Sequence, residues 1–526
     1  MKALPKTLDG TYERMLSGIT EKREDAYRIF QWLAVSSRAL CVEELAEVFA
    51  FDFDAETPEI PKFNSSRRRL DAKTEILSTC SSLVRIVEVE GKNVVHFSHP
   101  SVREYLTSKR IAESAHVPLF RILPKSAHTL LAKACLTFLL QLDHSTYVAK
   151  IQNSPLIWYA AEHWMDHARF EGVSTDIRDM VDCLFDRNKE HWAVWNWLYD
   201  IEGRRRRHHP PPHPAQPGAV PLYYATLCGF RDLAERLIDA YPEDVNARGG
   251  YYKTPLHAAL VKELPDFALL LLDRGALVDT RGRDRQTPLY KASSRGYTDV
   301  VRSLVDRGAE VDAEGDDWNV MGGGVKRTPL LVASKNGRLD TVQLLLDHHA
   351  NIDFQDNDGR SALHLASRHP SSDVAQLLLD RGANINTSSI RGKTALHEAS
   401  EFGQVAAVQL LLERGLDMNV LTKFGRTPMH YAAKKGHLGV MRLLLGRGAE
   451  VNVPDKVDLL TPLHLAAANG RLEAVKILIG GGADPHARTV DGETPFELAS
   501  QENHMEVVQL LSERTSERTE DPEAQD

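Results

Sequence analysis

The sequence has few cysteines and no long run of apolar residues. Its 526 residues include five cysteines, and no two of them form a C-x-x-C pair. Cysteines this sparse indicate reduced thiols in a reducing compartment rather than a disulfide framework or a zinc site. No apolar stretch approaches the roughly 20 residues that a membrane-spanning helix needs, and the N-terminus lacks the apolar core of a signal peptide. We therefore expect a soluble intracellular protein in the cytoplasm, with the nucleus as the alternative.

An excess of positive charge is also missing. The chain has 64 Lys and Arg against 73 Asp and Glu, which gives a net charge of −9. Phosphate backbones and anionic membranes attract basic surfaces, so this balance argues against nucleic acid or a membrane as the partner. The partner expected from charge alone is another protein.

Motifs for catalysis and for cofactors are missing as well. No paired carboxylates, nucleophile with a base, or metal-ligand spacing recurs along the repeated part of the sequence. The stretch MGGGVKRT, from Met321 to Thr328, departs from a phosphate loop because Val325 separates the last glycine from the lysine. His163 and His167 are four residues apart on an expected helix, but no third ligand accompanies them. The sequence predicts a protein that is not an enzyme and has no cofactor and no metal.

What the sequence does contain is an internal repeat in its C-terminal three-fifths. Segments similar to TPLH recur at intervals of 33 or 34 residues, with one interval of 41. A degenerate first copy starts at Val220, so residues 219–514 contain nine units, with an eight-residue insertion between the third and the fourth. The other segments start at Thr254, Thr287, Thr328, Ser361, Thr394, Thr427, Thr461 and Thr494.

The columns of this repeat predict two helices in each unit. The Thr or Ser can cap a helix, and the Pro that usually follows suits the first helical position. A glycine then ends this helix in the left-handed conformation, and a second apolar run follows at helical spacing. Five positions after the Thr, every unit has an alanine, which allows neighbouring helices to pack closely. These alanines are Ala225, Ala259, Ala292, Ala333, Ala366, Ala399, Ala432, Ala466 and Ala499. The sequence thus predicts a mainly α-helical solenoid with short β-hairpin fingers.

The repeat resembles the ankyrin repeat over about residues 219–514. The resemblance implies a stack of helix pairs that binds other proteins through its finger tips and its concave surface. It also implies that the histidine of the column forms hydrogen bonds between neighbouring units rather than binding metal. That histidine is present as His257, His364, His397, His430 and His464, and is replaced by Tyr290, Leu331 and Glu497.

Several aromatic and basic residues of the turns are candidates for partner binding, because such residues often dominate protein interfaces. The alternative is that the aromatic residues pack on adjacent fingers and the charges are solvated. The candidates are Tyr251, Tyr252, Arg281, Arg283, Arg285, Trp318, Arg391, Lys423 and Phe424.

The first 200 residues contain no repeat. The alternating stretch SLVRIVEVEGKNVVHFS predicts a β-hairpin with its turn at about Glu90–Asn93. Helical patterns precede it at Leu8–Ile19, Glu24–Ser36, Val42–Phe51 and Thr74–Leu83. Helices followed by a hairpin indicate a winged helix in residues 1–112, with a helical region at 113–201. Residues 1–110 contain 17 basic and 17 acidic residues, which argues against DNA binding, although a DNA-binding regulator stays as an alternative.

The segments LPKTLDGTYERML, CSSLVRIVEVEG and HFSHPSVREYL resemble the winged-helix region that follows the NACHT module in fungal signalling ATPases related to NOD-like receptors. The same region is also labelled as the winged helix of GPI inositol-deacylase-like proteins. The resemblance implies that His99, in a pattern with Ser101, Glu104 and Tyr105, contacts nucleotide when an ATPase module is present. No GxxxxGK[ST] motif occurs here, so the alternative is a structural His99 at the start of a helix.

Two functional hypotheses follow besides the DNA-binding regulator. The first is a non-enzymatic scaffold, and the second is the C-terminal part of a NACHT ATPase switch. The Arg/His/Pro-rich residues 202–218 are expected to form a linker, in which Arg204–Arg207 is either a solvated hinge or a nuclear-import signal. Residues 515–526 are expected to be a disordered charged tail.

Overall fold

The fold described here is that of a computed structural model. It describes residues 8–52, 62–64, 71–114, 117–142, 154–189, 191–202, 218–318 and 324–516. The chain divides into two compact units, Met1–Tyr251 and Tyr252–Asp526.

The N-terminal unit begins with a winged helix, as the sequence predicted. Its elements are α1 (Leu8–Ser17), α2 (Arg23–Val35), β1 (Leu40–Cys41), α3 (Val42–Ala46), β2 (Phe51–Asp52), β3 (Lys62–Phe63), α4 (Ala72–Cys80), β4 (Val84–Val89), β5 (Lys92–Phe97) and α5 (Pro100–Thr107). Strands β4 and β5 form the predicted hairpin, and the short β1 pairs with β5 as a third strand. The turn contains only Glu90 and Gly91, with φ of 50° and 76°, as a two-residue hairpin turn requires.

The helix predicted over Val42–Phe51 is shorter than expected. Helix α3 ends at Ala46, a 3-10 turn covers Glu47–Ala50, and Phe51 pairs with Phe63 in a two-residue ladder. The Phe51 ring packs edge-on against Phe63 and Phe138, with centroid distances of 5.2 and 5.0 Å. These tertiary contacts outweigh a local helix propensity that is worth only tenths of a kilocalorie per residue.

A helical region completes the N-terminal unit. Its helices are α6 (Pro124–Leu140), α7 (Leu156–Ala168), α8 (Val173–Asp176), α9 (Arg178–Leu184), α10 (His191–Leu198), α11 (Pro221–Cys228) and α12 (Arg231–Ala240). Helices α11 and α12 are the degenerate first repeat. Phe230 of this repeat packs against Trp164 of α7, with the ring centroids 5.3 Å apart, so the first repeat shares the core of this unit. Residues 203–217 of the predicted linker, including Arg204–Arg207, lie outside the described residues.

The described part of the C-terminal unit contains eight further helix pairs. They are α13 (Pro255–Val261) with α14 (Pro265–Asp273), α15 (Pro288–Arg295) with α16 (Thr298–Asp306), α17 (Pro329–Lys335) with α18 (Leu339–Asp347), α19 (Ala362–Ala366) with α20 (Asp373–Asp380), α21 (Ala395–Phe402) with α22 (Val405–Glu413), α23 (Pro428–Lys435) with α24 (Leu438–Gly446), α25 (Pro462–Ala468) with α26 (Leu472–Gly480), and α27 (Pro495–Gln501) with α28 (Met505–Ser516). First helices pack on first helices, and second helices on second helices.

The recurring residues of the repeat (alanine, threonine and glycine) have the structural roles that the sequence predicted for them. All nine column alanines are fully buried. The hydroxyl groups of Thr254 and Thr287 accept hydrogen bonds from backbone amides in the first turns of α13 and α15. Gly403 and Gly436 end α21 and α23 with φ of 75° and 76°. The repeated residue types therefore set where each first helix starts, where it stops and how closely its neighbour approaches.

The insertion between the third and fourth units forms a two-stranded antiparallel ladder. Strand β6 (Gly315–Trp318) pairs with β7 (Gly324–Arg327), with Gly315 opposite Arg327. Residues 319–323, within the stretch from Met321 to Thr328, lie outside the described residues. Helix α28 extends to Ser516, slightly beyond the predicted end of the array, and residues 517–526 also lie outside the described part.

Candidate protein-interaction surface

A column histidine ties five of the fingers to the preceding unit. The Nε2–H of His397 donates to the backbone oxygen of Arg426 at 3.0 Å, and its Nδ1 accepts from the backbone N–H of Thr394 at 3.1 Å. His257, His364, His430 and His464 make the equivalent bonds to Gln286, Lys393, Leu460 and Glu493. Burial lowers the pKa of His397 to about 4, so the imidazole is neutral and holds this pair of bonds. The hydrogen bond between units that the resemblance implied is thus present.

The tips of consecutive fingers are also joined to one another by backbone hydrogen bonds. The amide of Lys423 donates to the oxygen of Arg391 at 3.1 Å, and the amide of Lys456 donates to the oxygen of Phe424 at 2.8 Å. Equivalent bonds join Ile390 to Asp358 and Val490 to Asp458, at 2.9 and 3.0 Å. Because each tip is bonded to the next, the side chains on these tips have fixed spacing.

The tips of the last four fingers carry exposed apolar side chains. The exposed fractions are 60% for Ile390, 45% for Phe424, 55% for Val457 and 65% for Val490. Arg391, Lys423 and Lys456 are interleaved with them, and none of these three cations forms an ion pair with a described residue. We call these seven residues the fingertip strip. Contiguous apolar side chains rimmed by charge are typical of a protein-binding surface.

The structure brings three of the predicted partner-binding residues together. Arg391, Lys423 and Phe424 lie on adjacent hydrogen-bonded tips. Ile390, Lys456, Val457 and Val490 were not predicted, because single aliphatic or lysine residues in a turn give no signal in sequence. Their signal was positional, since Ile390, Val457 and Val490 lie four residues before the Thr of the next segment, as Lys423 does.

Arg281, Arg283 and Arg285 lie on an earlier finger, outside the fingertip strip. Arg281 donates to the backbone oxygens of Arg285 and Glu314, at 2.9 and 2.6 Å, and so links two fingers. Arg283 and Arg285 are exposed on the same finger. The backbone of Trp318 ends β6 opposite Gly324, and its side chain lies outside the described residues.

Tyr251 and Tyr252 are half-buried. The backbone amide of Tyr251 donates to the carboxylate of Glu202 at 2.6 Å within the N-terminal unit. Partner binding by either tyrosine remains a prediction.

His99 caps helix α5. Its backbone is extended, with φ of −147°, and its Nδ1 accepts a hydrogen bond from the Ser101 amide at 3.2 Å. The Ser101 hydroxyl lies 2.5 Å from the same nitrogen and 2.6 Å from the hydroxyl of Tyr12. This geometry matches the structural alternative for His99, while its nucleotide-sensing role remains a prediction.

The charge of helix α4, which precedes the β4–β5 hairpin, tests the alternative that the winged helix binds DNA. In a winged helix this element, here α4, is the one that usually enters the major groove. It carries one lysine, Lys73, and one glutamate, Glu75, which is paired with Lys22 at 2.7 Å. A helix with no net positive charge is poorly suited to a phosphate backbone.

His163 and His167 are engaged with other side chains. His167 is fully buried, with Nε2 2.9 Å from the Tyr159 hydroxyl and Nδ1 2.9 Å from His128, while His163 lies 2.9 Å from Asp166. In the part of the chain that the structure describes, no group of three or more His, Cys, Asp or Glu residues is arranged to hold a metal ion. Among the described helices, none combines the length and the apolar character needed to cross a bilayer.

Comparison with known proteins agrees with this architecture. The family described as ankyrin repeats (3 copies) matches residues 222–315, 313–389, 387–455 and 454–526, which is more than half of the chain. The family described as GPI inositol-deacylase, winged helix domain, matches residues 12–116. The azaphilone pigments biosynthesis cluster protein L of Monascus ruber is 31% identical over 293 residues. That match covers 52% of this chain, and the chain spans 61% of the relative. On the repeat columns, the stacked helix pairs and the family match together, the chain belongs to the ankyrin-repeat family.

Proposed function

We propose that the chain is a non-enzymatic scaffold whose fingertip strip binds a protein partner. The observation that carries the proposal is the exposure of Ile390, Phe424, Val457 and Val490 on tips joined by backbone hydrogen bonds. A rigid surface loses little conformational entropy on binding, which favours affinity. Phe424 supplies the aromatic anchor that often dominates interface energy.

The charge of the strip supports a partner with acidic and apolar side chains. Arg391, Lys423 and Lys456 lie beside the apolar tips and form no ion pair with a described residue. Carboxylates at the rim of the complex would complement them, which raises the association rate and selects among partners.

The test uses the full chain to isolate interacting proteins, followed by titration of each purified protein. We expect Phe424→Ala to weaken binding by about tenfold or more, because truncating a central aromatic anchor typically costs about 2 kcal/mol. Leu277→Ala is the matched control, since Leu277 is a large side chain, 59% exposed, on a finger outside the strip. A partner that binds Phe424→Ala and Arg391→Glu as tightly as the unmodified chain would contradict the proposal.

The Monascus ruber relative is named for membership in a pigment biosynthesis cluster, and its name states no chemical activity. The proposal therefore rests on the surface of this chain. The finer hypothesis that the winged helix belongs to a NACHT-type ATPase switch is supported by the His99, Ser101, Glu104 and Tyr105 pattern. ADP binding to this chain that is lost in His99→Ala would favour that hypothesis, and a transcript that encodes no GxxxxGK[ST] motif upstream of Met1 would oppose it.

A further inference from the structure

A cavity of about 350 Å³ lies beside the insertion between the third and fourth units of the array. It lies between helices α15 and α17, with part of its wall supplied by strand β6 of the insertion. Its lining includes Gln286, Tyr290, Lys291, Asp317, Lys335 and Arg338. A volume of this size is at the small end of the range for small-molecule sites.

The insertion is held firmly against this part of the array. A Cβ atom on Gly315 would lie 2.9 Å from Cγ of Gln286 and 3.0 Å from Cδ2 of Tyr290, so only glycine permits this close approach. Asp317 accepts a hydrogen bond from Nζ of Lys335 at 2.7 Å and also contacts Arg327. Arg327 in turn reaches the buried Asp356, at 3.2 Å. These contacts fix the β6 wall of the cavity.

Two repeat positions in the units on either side of the insertion differ from the same positions in most other units. Tyr290 and Leu331 occupy the positions of the column histidine in two successive units. Tyr290 and Leu331 lack the imidazole that makes the hydrogen bond between units at His397. Arg327 pairs with Asp356 of the next finger, as Arg426 pairs with Asp455. Of these residues, Tyr290 lines the cavity, together with Asp317 of the insertion.

The cavity contains more positive charge than the protein neutralises. Four cations line it, and two of them have carboxylate partners: Lys335 with Asp317 at 2.7 Å, and Arg295 with Glu263 at 2.6 Å. Lys291 and Arg338 form no ion pair with a described residue. Burial lowers the pKa of Lys291 although Asp284 and Asp317 act in the opposite direction. A bound anion would compensate both cations.

Two neutral groups add hydrogen-bonding capacity. Gln286 is 6% exposed, its Nε2 donates to the backbone oxygen of Asp316 at 2.5 Å, and its Oε1 is buried without a partner. A buried acceptor without a donor is costly, so a ligand hydroxyl would be stabilised there. The Ser294 hydroxyl accepts from Asn336 at 3.1 Å, which leaves its own hydrogen available to a ligand oxygen.

We infer that this cavity binds a small hydroxylated anion, with Lys291 and Arg338 contacting a phosphate or carboxylate and Gln286 accepting a hydrogen bond from a ligand hydroxyl. The site is separate from the fingertip strip and does not depend on the partner proposed for it.

The test is titration calorimetry of the full chain at low salt with glucose 6-phosphate, citrate, inorganic phosphate and glucose. We expect glucose 6-phosphate or citrate to bind, and each to bind more tightly than phosphate or glucose, because only the first two carry both an anionic group and an alcohol hydroxyl that can reach a second contact. The two probes distinguish a phosphate from a carboxylate ligand. Binding of neither, or equal binding of glucose, would overturn the inference without any variant.

Variants then locate the site. Lys291→Met and Arg338→Met should each weaken binding by about tenfold, as loss of one charge-assisted hydrogen bond predicts. Arg471→Met is the matched control, because Arg471 holds the same repeat position and packs on Gly436 as Arg338 packs on Gly296. Thermal melts establish that each variant is folded. Equal weakening by Arg471→Met, or no weakening by a folded Lys291→Met, would overturn the assignment.

Discussion

Leu459 occupies a column that neighbouring fingers fill with glycine. Gly392, Gly425 and Gly492 hold this position with φ of 75°, 75° and 81°, and Leu459 adopts φ of 56° at the same place. A side chain with a Cβ atom costs about 1 kcal/mol in this left-handed region. Leu459 is also 42% exposed, so it gains only part of the burial that would offset the cost.

We expect Leu459→Gly to stabilise the array by up to about 0.5 kcal/mol, because relief of the backbone strain exceeds the lost packing and the added flexibility of the unfolded chain. The measurement is the thermal midpoint of the full chain by circular dichroism. Leu421→Gly is the control, since Leu421 is 46% exposed and is not among the residues with positive φ. It should destabilise the array by a similar amount through added flexibility of the unfolded chain. A lower midpoint for Leu459→Gly would show that its packing outweighs the strain.

Individual residues could be predicted where the same structural requirement recurs from unit to unit of the repeat. Nine buried alanines and the glycine helix ends were visible in the sequence because each copy needs the same residue for the same reason. The left-handed Leu459 was not, because glycine is missing from this column in several copies and the residue type alone does not show the backbone conformation. The apolar members of the fingertip strip, such as Val457 and Val490, were also missed, since their exposure depends on the fold.

At the scale of elements, the histidine column makes the joints between units sensitive to acid. Each histidine accepts a hydrogen bond at Nδ1 and donates one at Nε2. Protonation of Nδ1 breaks the accepted bond and places a charge in a buried site. Burial accordingly lowers the pKa values of His257, His397 and His430 to about 4.

The array should lose stability as the pH falls from about 6.5 towards 4. The unfolded chain takes up protons near the ordinary histidine pKa, whereas the folded chain does so only near 4, so acid favours the unfolded state. We expect about 1–2 kcal/mol lost per buried histidine between pH 7 and pH 5. Urea midpoints at the two pH values measure this loss. His397→Gln should reduce the pH dependence, while His486→Gln, at an exposed finger position, should not. An identical pH dependence in all three proteins would refute the assignment.

Elements were predictable in proportion to their length and periodicity. The helix pairs and the β4–β5 hairpin follow from patterns that span many residues. Strand β1 and the β2–β3 ladder have two residues per strand, too few to show any alternation. The β2–β3 ladder forms because Phe51 and Phe63 pack together on Phe138, and β1 forms because Leu40 and Cys41 pair with β5.

At the scale of the whole molecule, the first repeat belongs to the N-terminal compact unit. Tyr223 donates to Glu202 at 2.6 Å, and the amide of Asn196 donates to the Tyr224 hydroxyl at 3.2 Å. Arg236 reaches Asp182 at 3.0 Å. The sequence repeat places the start of the array at residue 219. It shows where each unit lies along the chain, but it does not show which other helices a unit packs against. The sequence therefore could not show that helices α11 and α12 share a core with α7 and α10.

Removing this repeat should consequently damage the N-terminal unit. We expect a fragment of residues 1–251 to melt cooperatively and a fragment of residues 1–218 to be at least about 3 kcal/mol less stable, because Trp164 loses its contact with Phe230 and Trp192 its contact with Tyr224. Urea unfolding followed by tryptophan fluorescence measures the difference. Tyr223→Phe in the longer fragment removes the hydroxyl that donates to Glu202 and keeps the ring, so its effect should be smaller, about 1–3 kcal/mol. Equal stability of the two fragments would mean that the core of the unit ends before α11.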